Sequence, residues 1–236
     1  MDFWSYPKIE TLYTRDPMTH RVTSEIRVPE FTIPQTWHVT EKIDGTNVRI
    51  MLKHTPEGGS VVTYGGRTNA ASLQVSLITW LLEHLPADRV RAAFDLDTTA
   101  MIFGEGYGER IQAGGGDYRP GVAVRIFDVV VFGAEDAERH HHPKAWWLNW
   151  AAIEDVAKKL GVETVPVLGR ALTLEQAAGL VRDAKEAAPS AVSIMETTRT
   201  VRPMEGIVAR TEPILFTRTG GRLAFKLKHK DYQGGQ

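Results

Sequence analysis

The sequence predicts an α+β fold in which antiparallel β-sheets are flanked by helices. Short runs with polar alternation, typical of strands, recur at residues 38–41, 47–54, 60–64, 101–105, 123–132, 206–210 and 222–228. Apolar residues follow helical spacing at 72–85, 143–160 and 173–187. With 236 residues, 42% of them hydrophobic, the chain is long enough to bury one substantial core. We therefore expect a single domain over residues 1–236.

Local signals predict several element boundaries. Thr173 followed by Gln176 has the spacing of a capping box, which indicates the start of the last helix. Glycine recurs throughout residues 104–116, which favours a loop there. The pair Gly220-Gly221 predicts a hairpin turn before the final strand.

Two conspicuous segments have ordinary structural interpretations. His140-His141-His142 lies between polar residues and a proline, so we expect a surface loop rather than a metal site. Trp146, Trp147 and Trp150 fall in the predicted helix at 143–160 and include a pair at helical spacing. We expect them to pack in the core rather than to stack on bases.

The composition excludes several classes of protein. Without cysteine, the chain can form neither a disulfide scaffold nor a thiolate metal site. No apolar run approaches the roughly 20 residues of a membrane helix, and the N-terminus lacks the segments of a signal peptide. We therefore expect a cytoplasmic protein with no membrane partner.

Charge is unevenly distributed along the chain. The net charge of −1 provides no overall attraction for nucleic acid. Residues 199–236, the basic C-terminal region, nevertheless contain eight Lys or Arg and only three acids. Any binding to phosphate is therefore expected from a local patch.

Lys42 is the strongest candidate for a catalytic residue. It follows the strand-like Trp37-His38-Val39 and precedes the turn Asp44-Gly45. A lysine held at a strand end by a glycine turn is well placed to attack the α-phosphate of a nucleotide and form a phosphoramidate. Because lysine is ordinarily protonated at neutral pH, this attack requires burial and neighbouring cations that favour the neutral amine. The same pattern also occurs in ordinary hairpins, so other segments must support the assignment.

Four further segments have the composition of a nucleotide site. Arg67 follows a glycine turn and can bind phosphate or ribose oxygens, although loop arginines are commonly solvated. Glu105 ends a predicted strand among glycines and can accept hydrogen bonds from ribose, or simply belong to a turn. Phe127 can stack on a purine or pack in the core. Glu205 directly precedes a strand and can hold a divalent ion through water.

Lys226 and Lys228 are the cations that we expect near Lys42. Their spacing of two residues puts both side chains on one face of a strand. Their field would favour a neutral Lys42 amine and stabilise the departing pyrophosphate. An edge strand protected from aggregation by lysines would show the same pattern.

Taken in chain order, these segments resemble the collinear motifs of the ATP-dependent polynucleotide ligase and capping superfamily of covalent nucleotidyltransferases. The continuation of the lysine motif into Thr46-Asn47 is most similar to the phage-type RNA ligases, several of which have His at the position of Asp44. The matching segments are Lys42-Ile43-Asp44-Gly45, Gly66-Arg67-Thr68, Phe103-Gly104-Glu105, Phe127-Asp128-Val129, Glu205-Gly206-Ile207-Val208 and Lys226-Leu227-Lys228.

The resemblance implies an ATP-grasp-like nucleotidyltransferase domain whose sheets enclose an ATP cleft, with ATP and Mg²⁺ or Mn²⁺ as cofactors. Lys42 would be adenylylated, AMP would pass to the 5′-phosphate of an RNA end, and a 3′-hydroxyl would expel AMP. Arg67 and Glu105 would hold the ribose or nearby phosphates, and Phe127 would stack on adenine. The remaining implied roles are metal assistance by Glu205, phosphate contact by Lys226 and Lys228, the sealing step for Asn47, and the adenine pocket for Glu41.

The expected partners are RNA ends, in single strands, a nicked duplex or an RNA/DNA hybrid. Residues 111–116 and the basic C-terminal region are the expected nucleic-acid surface. Many relatives add a C-terminal domain, often an OB-fold, and none is expected in this chain, which disfavours a capping enzyme. A minimal ATP-dependent DNA ligase and a non-catalytic nucleotide- or RNA-binding module remain the alternatives.

Overall fold

A computed structural model describes residues 5–19, 21–55, 59–95, 98–132, 145–184 and 186–232. The chain divides into two compact units, of which the first comprises residues 1–7 and 45–164 and the second residues 8–44 and 165–236. Each unit contains a five-stranded sheet and helices, so the predicted α+β class is confirmed. The single domain and the ATP cleft remain predictions.

The secondary structure follows the chain in this order. The strands are β1 (Glu10–Thr11), β2 (Tyr13–Arg15), β3 (Val22–Ile26), β4 (Trp37–Lys42), β5 (Thr46–His54), β6 (Ser60–Gly65), β7 (Thr99–Gly108), β8 (Val122–Phe132), β9 (Trp146–Trp147), β10 (Val167–Leu172), β11 (Gly206–Arg210) and β12 (Ala224–Lys228). The α-helices are α1 (Val75–His84), α2 (Ala87–Ala92), α3 (Trp150–Leu160), α4 (Leu174–Arg182) and α5 (Ala191–Glu196).

The sheet of the second unit has the order β1-β12-β11-β4-β10. Its strands pair antiparallel except for β1, which runs parallel to β12. The core beneath it includes Trp37 and Phe225, both fully buried, whose rings meet edge to face at 4.8 Å. Burial of these aromatic side chains anchors β4 and β12, the two strands that carry the lysines of interest.

The sheet of the first unit has the order β6-β5-β7-β8-β9 and is antiparallel throughout. A bulge interrupts the pairing of β7 with β8, because Phe103 lies opposite Asp128 whereas Gly104 lies opposite Ile126. Phe127 is therefore the extra residue of β8. Such a bulge redirects the side chain at its position.

The predicted helix at 143–160 is wrong over its first part. Residues 133–144, including His140-His141-His142, lie outside the described residues, and α3 begins only at Trp150, where Asn149 accepts a hydrogen bond from the amide of Ala152. Trp146 and Trp147 instead form β9 and pair with the end of β8. A strand forms here because the backbone completes the edge of the sheet, which helical spacing alone does not reveal.

Other boundaries agree with the sequence or differ in an informative way. The capping box of Thr173 and Gln176 is confirmed at the start of α4. The hairpin turn at Gly220-Gly221 is confirmed by hydrogen bonds across residues 217–221. The predicted loop at 104–116 is wrong in its first part, because β7 continues to Gly108. In the described part of the chain, no helix is both long and apolar enough to cross a membrane.

Candidate active site

Two ion pairs that share the carboxylate of Glu205 lie at one end of the second unit's sheet. Their cations are Lys42 and Lys228. The central strand β11 places Gly206 opposite Lys42 on one side and opposite Lys228 on the other. Glu205, just before this strand, accepts from both lysines, with distances of 2.5 Å from Lys42 Nζ to Oε2 and 2.5 Å from Lys228 Nζ to Oε1. The sheet thus brings together three predicted site residues that are up to 186 positions apart in sequence.

Gly206 makes this arrangement sterically feasible. A Cβ atom at this position would collide with the carbonyl oxygen of Leu227 and lie 2.8 Å from the Cα of Lys228. Any side chain would therefore force β11 away from β12 and displace Lys228 from the shared carboxylate.

The electrostatic balance at Glu205 favours an ionised carboxylate. Burial raises the pKa of Glu205, but the charges and hydrogen bonds of Lys42 and Lys228 outweigh this effect, so its pKa lies below the usual value. The three side chains are only 12–25% exposed. Water therefore screens their attraction less than at a free surface.

Lys226 lies two residues before Lys228 on β12 and is half-buried. Its strand neighbours are Val208 on β11 and Thr11 on β1. Because side chains alternate along a strand, Lys226 and Lys228 share one face of the sheet, as the sequence predicted.

The residues beside Lys42 in sequence also have defined partners in the second unit. Glu41 is buried, and its carboxylate accepts hydrogen bonds from Ser190 Oγ at 2.5 Å and from the amide of Ala191 at 2.9 Å. Asp44 accepts from Arg202 Nη2 at 3.2 Å. Neither contact was apparent from the sequence, because both partners come from a segment about 150 residues away.

In the first unit, Asn47 on β5 lies opposite Glu105 on β7. Among the described residues, the side-chain oxygen of Asn47 is buried without a hydrogen-bond partner. Such an orphan acceptor is costly unless a ligand or water satisfies it, which suits a site residue. A Cβ atom at Gly45 would lie 2.8 Å from Glu105 Cγ, so a glycine is required beside this pair.

Phe127 projects from the bulge of β8 and remains partly exposed, unlike the buried residues on either side of it. Its ring meets that of Tyr6 edge to face at 5.1 Å, and the Tyr6 hydroxyl donates to Asp128 Oδ2 at 2.6 Å. Phe127 is therefore packed against Tyr6 and remains partly exposed at the bulge.

Arg67 lies exposed in the loop after β6. This loop accepts hydrogen bonds from Arg49, a residue that the sequence analysis missed. Arg49 is fully buried on β5, donates through Nε to the Gly66 carbonyl, and through Nη2 to Asn69 Oδ1 at 3.2 Å. Burial lowers the pKa of Arg49. The available signal was an arginine inside an otherwise apolar strand, Asn47 to Leu52.

Two carboxylates of the second unit, Asp44 and Glu205, have the chemistry needed to hold a hard cation. Among the described residues, no group of three or more His, Cys, Asp or Glu side chains is arranged as a metal cage. This donor set fits Mg²⁺ or Mn²⁺, since Mg²⁺ is commonly bound through one or two carboxylates together with phosphates and water.

Comparison with known proteins adds independent evidence. The family model described as RNA ligase matches residues 35–228. A search of curated proteins found no match. The solved structure of the Naegleria gruberi RNA ligase with PPi has a TM-score of 0.61 at 18% identity, over 96% of this chain and 62% of that chain. A mutant of the same ligase with ATP and Mn has a TM-score of 0.59 at 18% identity, over 95% and 60%.

At this level of identity the structural likeness shows a shared fold, and the chain spans less than two thirds of the Naegleria ligase's length. The family match is more specific, because it runs from just before β4 to the end of β12 and contains every predicted site residue. On that match, the chain belongs to the RNA ligase family.

Proposed function

We propose that this chain is an ATP-dependent RNA ligase that joins 5′-phosphate and 3′-hydroxyl ends through a lysyl-AMP intermediate. The observation that carries the proposal is the ion pair of Lys42 and Lys228 with Glu205, which lies within a family match to RNA ligase.

The chemistry begins at Lys42. Its amine, once deprotonated, attacks the α-phosphorus of ATP, so that a nitrogen–phosphorus bond forms as the bond to pyrophosphate breaks. Glu205 holds the Lys42 ammonium in place beforehand, and Lys228 is the second cation at the same carboxylate. Lys226 and Lys228 supply positive charge for the phosphates during the reaction.

A divalent cation such as Mg²⁺ or Mn²⁺ neutralises phosphate charge when bound. Glu205 and Asp44 are the carboxylates that would hold it. The remaining roles fall to residues of the first unit: Arg67 and Glu105 for ribose or phosphate, and Phe127 for adenine.

The later steps would transfer AMP to an RNA 5′-phosphate and seal the junction with a 3′-hydroxyl, with Asn47 serving the sealing step. We expect the RNA to contact the basic C-terminal region. The loop at 111–116 is a more constrained candidate than its composition indicates, because Ile111, Gly115 and Gly116 are buried and Gln112 donates to the Gly45 carbonyl at 3.0 Å.

Self-labelling with radiolabelled ATP or GTP, followed by denaturing electrophoresis, tests the covalent intermediate. We expect acid-labile label from ATP on the wild-type chain and none on Lys42→Ala. Label retained by Lys42→Ala would exclude Lys42 as the nucleophile. A wild-type chain that binds ATP but takes up no label would favour the non-catalytic binding module.

Joining assays distinguish RNA from DNA ligation. Wild-type protein and Asn47→Ala would each be given a pre-adenylylated 5′ end together with a strand that ends in either a ribose or a deoxyribose 3′-hydroxyl. We expect sealing of ribose ends, and slow sealing but normal self-labelling by Asn47→Ala. Equal sealing of an all-DNA nick would instead favour the minimal DNA ligase.

A further inference from the structure

One segment of the second unit contacts the motif residues on both sides of Lys42. Residues 188–204, here called the α5 brace, include α5 and the chain that leads back to Glu205. Glu41 accepts hydrogen bonds from the start of this brace, and Asp44 accepts from Arg202 near its end. The brace thus holds the residue before Lys42 and the residue two after it.

The α5 brace is tied together by its own hydrogen bonds. The backbone of Ser190 donates to the Arg202 carbonyl at 3.0 Å, and the backbone of Arg202 donates to Ser193 Oγ at 3.0 Å. Pro189 and Pro203 form a further antiparallel bridge. Ser190 and Ser193 are completely buried. A shift at the start of α5 would therefore be passed directly to Arg202.

The brace also ends at the site. The backbone of Met204 donates to the Ala188 carbonyl at 2.8 Å, which fixes the residue just before Glu205. Glu205 then pairs with Lys42. The 17 residues of the α5 brace contact Glu41 and Asp44, and the next residue, Glu205, contacts Lys42. The lysine motif is therefore contacted at three of its residues.

The environment of Glu41 indicates a role away from the nucleotide. Its side chain is 2% exposed, and its two oxygens accept from Ser190 Oγ and from the amides of Ala191 and Val192. Because consecutive side chains of a strand point to opposite faces, Glu41 and Lys42 on β4 lie on opposite sides of the sheet. The carboxylate is therefore engaged on the face opposite to the reactive amine.

We propose that Glu41, Ser190 and Arg202 are positioning residues that set Lys42 for adenylylation through the α5 brace. In this role Glu41 acts through α5 rather than by lining the adenine pocket, and Arg202 orients Asp44 beside the nucleophile. The inference rests on the proposed self-adenylylation of Lys42.

Single-turnover self-adenylylation at varied ATP concentration tests the Glu41 arm. Glu41→Gln and Ser190→Ala should each slow the rate at saturating ATP by about tenfold or more, since small misplacements of a reacting group have large effects on rate. The apparent ATP affinity should change by about twofold or less, and the double variant should be no slower than the slower single variant. Ser190→Thr, which keeps the hydroxyl, should recover part of the rate.

Thr173→Ala is the matched control, because the Thr173 hydroxyl caps the start of α4 as the Ser190 hydroxyl caps the start of α5 in the same unit. It should lower the melting temperature but leave the labelling rate within about twofold of wild type. A normal saturating rate with weakened ATP affinity in Glu41→Gln would show that Glu41 contacts the nucleotide and would overturn the inference. So would multiplicative effects in the double variant.

Substitutions of Arg202 test its contact with Asp44 without changing the start of α5. Arg202→Gln should slow labelling at saturating ATP, and Arg202→Lys should recover part of the rate because it keeps the charge near Asp44. Arg21→Gln, at an exposed arginine of the same unit outside the basic C-terminal region, is the control. Normal labelling by Arg202→Gln would overturn the role of Arg202, whereas no labelling by wild-type protein would instead reject the proposed function.

Discussion

At the scale of single residues, the site depends on one carboxylate shared by two lysines. Glu205 is ionised and bound by Lys42 and Lys228, and removing it would leave two ammonium groups facing each other in a partly buried place. Isolated surface ion pairs contribute little to stability, but loss of one partner from a partly buried group leaves uncompensated charge. The free energy of unfolding should therefore depend on whether Glu205 is ionised.

Lowering the pH should remove the stabilising contribution of the ionised Glu205. The pKa of Glu205 is lowered in the folded protein, so its stabilising contribution is present above the ordinary glutamate value of about 4.3 and is lost as the pH falls through the folded value. We expect the free energy of unfolding of wild type to approach that of Glu205→Gln as the pH is lowered below about 4. Urea unfolding across pH measures this. A gap between the two proteins that stays constant with pH would contradict it, and Glu186→Gln, at an exposed carboxylate of the same unit, is the control.

Arg49 offers a second test at the residue scale. Its guanidinium holds the loop that carries Arg67, so Arg49→Met should cost roughly 1–3 kcal/mol of stability by leaving the Gly66 carbonyl without its donor. Arg49→Lys should be more stable than Arg49→Met, but it should use ATP less well than wild type. If Arg49 acts through Arg67, combining Arg49→Lys with Arg67→Ala should weaken ATP use no further than Arg67→Ala alone. Independent, additive effects would contradict this coupling.

At the scale of secondary structure elements, β11 is the central strand of the site. It separates β4 from β12 and thereby spaces Lys42 from Lys228 across Gly206. β11 can approach β12 this closely because Gly206 has no side chain. No comparable restriction applies at Gly221 in the turn before β12, where an added Cβ would make an ordinary contact of 3.4 Å with Thr217 Oγ1.

Gly206→Ala should therefore be destabilising by about 1–3 kcal/mol, because the added methyl group forces the strands apart. It should also abolish self-labelling, because Lys228 would leave the shared carboxylate. Gly221→Ala should leave both properties close to wild type. Thermal unfolding and ATP labelling measure the two effects. A stable, fully labelled Gly206→Ala protein would contradict the proposed spacing role.

The two lysines of β12 should affect one step of the reaction more than another. If Lys226 and Lys228 neutralise the triphosphate as proposed, Lys226→Ala and Lys228→Ala should each slow self-labelling by about tenfold or more. Binding of pre-adenylylated RNA should change less. Lys230→Ala, at an exposed lysine just after β12, is the control for self-labelling. Label uptake at the wild-type rate in both variants would contradict the assignment.

At the scale of the whole molecule, charge is nearly balanced, so the proposed attraction for RNA has to come from a local patch. The net charge is −1, yet residues 199–236 carry eight Lys or Arg against three acids. The affinity for single-stranded RNA should therefore fall only moderately with salt. For about three phosphate contacts, the logarithm of affinity against the logarithm of salt concentration should have a slope of about −2.

Filter binding of RNA across salt concentrations measures this slope. Arg218→Gln, at an exposed arginine of the hairpin before β12, should make the slope shallower by about 0.7 if that residue contacts one phosphate. Lys158→Gln, at an exposed lysine of α3 in the first unit, should not change it. An unchanged slope for Arg218→Gln would place the RNA elsewhere on the protein.

The sequence alone determined the α+β class, most strand positions and the lysine motif. These signals are local: alternation of side chains, the capping box at Thr173, and short motifs that each stand on one strand or turn. The predicted grouping of Lys42 with Lys228 followed from chemistry, because a reactive lysine needs cations nearby. The catalytic and binding roles of all the predicted site residues remain predictions: Glu41, Lys42, Asn47, Arg67, Glu105, Phe127, Glu205, Lys226 and Lys228.

Only the tertiary structure decided which side chains meet. The shared carboxylate of Glu205, the hold of α5 on Glu41 and the pairing of Arg202 with Asp44 join residues about 150 or more positions apart. Buried Arg49 and the strand at Trp146-Trp147 likewise depend on neighbours supplied by the sheet. Such contacts are set by strand order and register, which no single stretch of sequence encodes, because they arise from the pairing of distant segments.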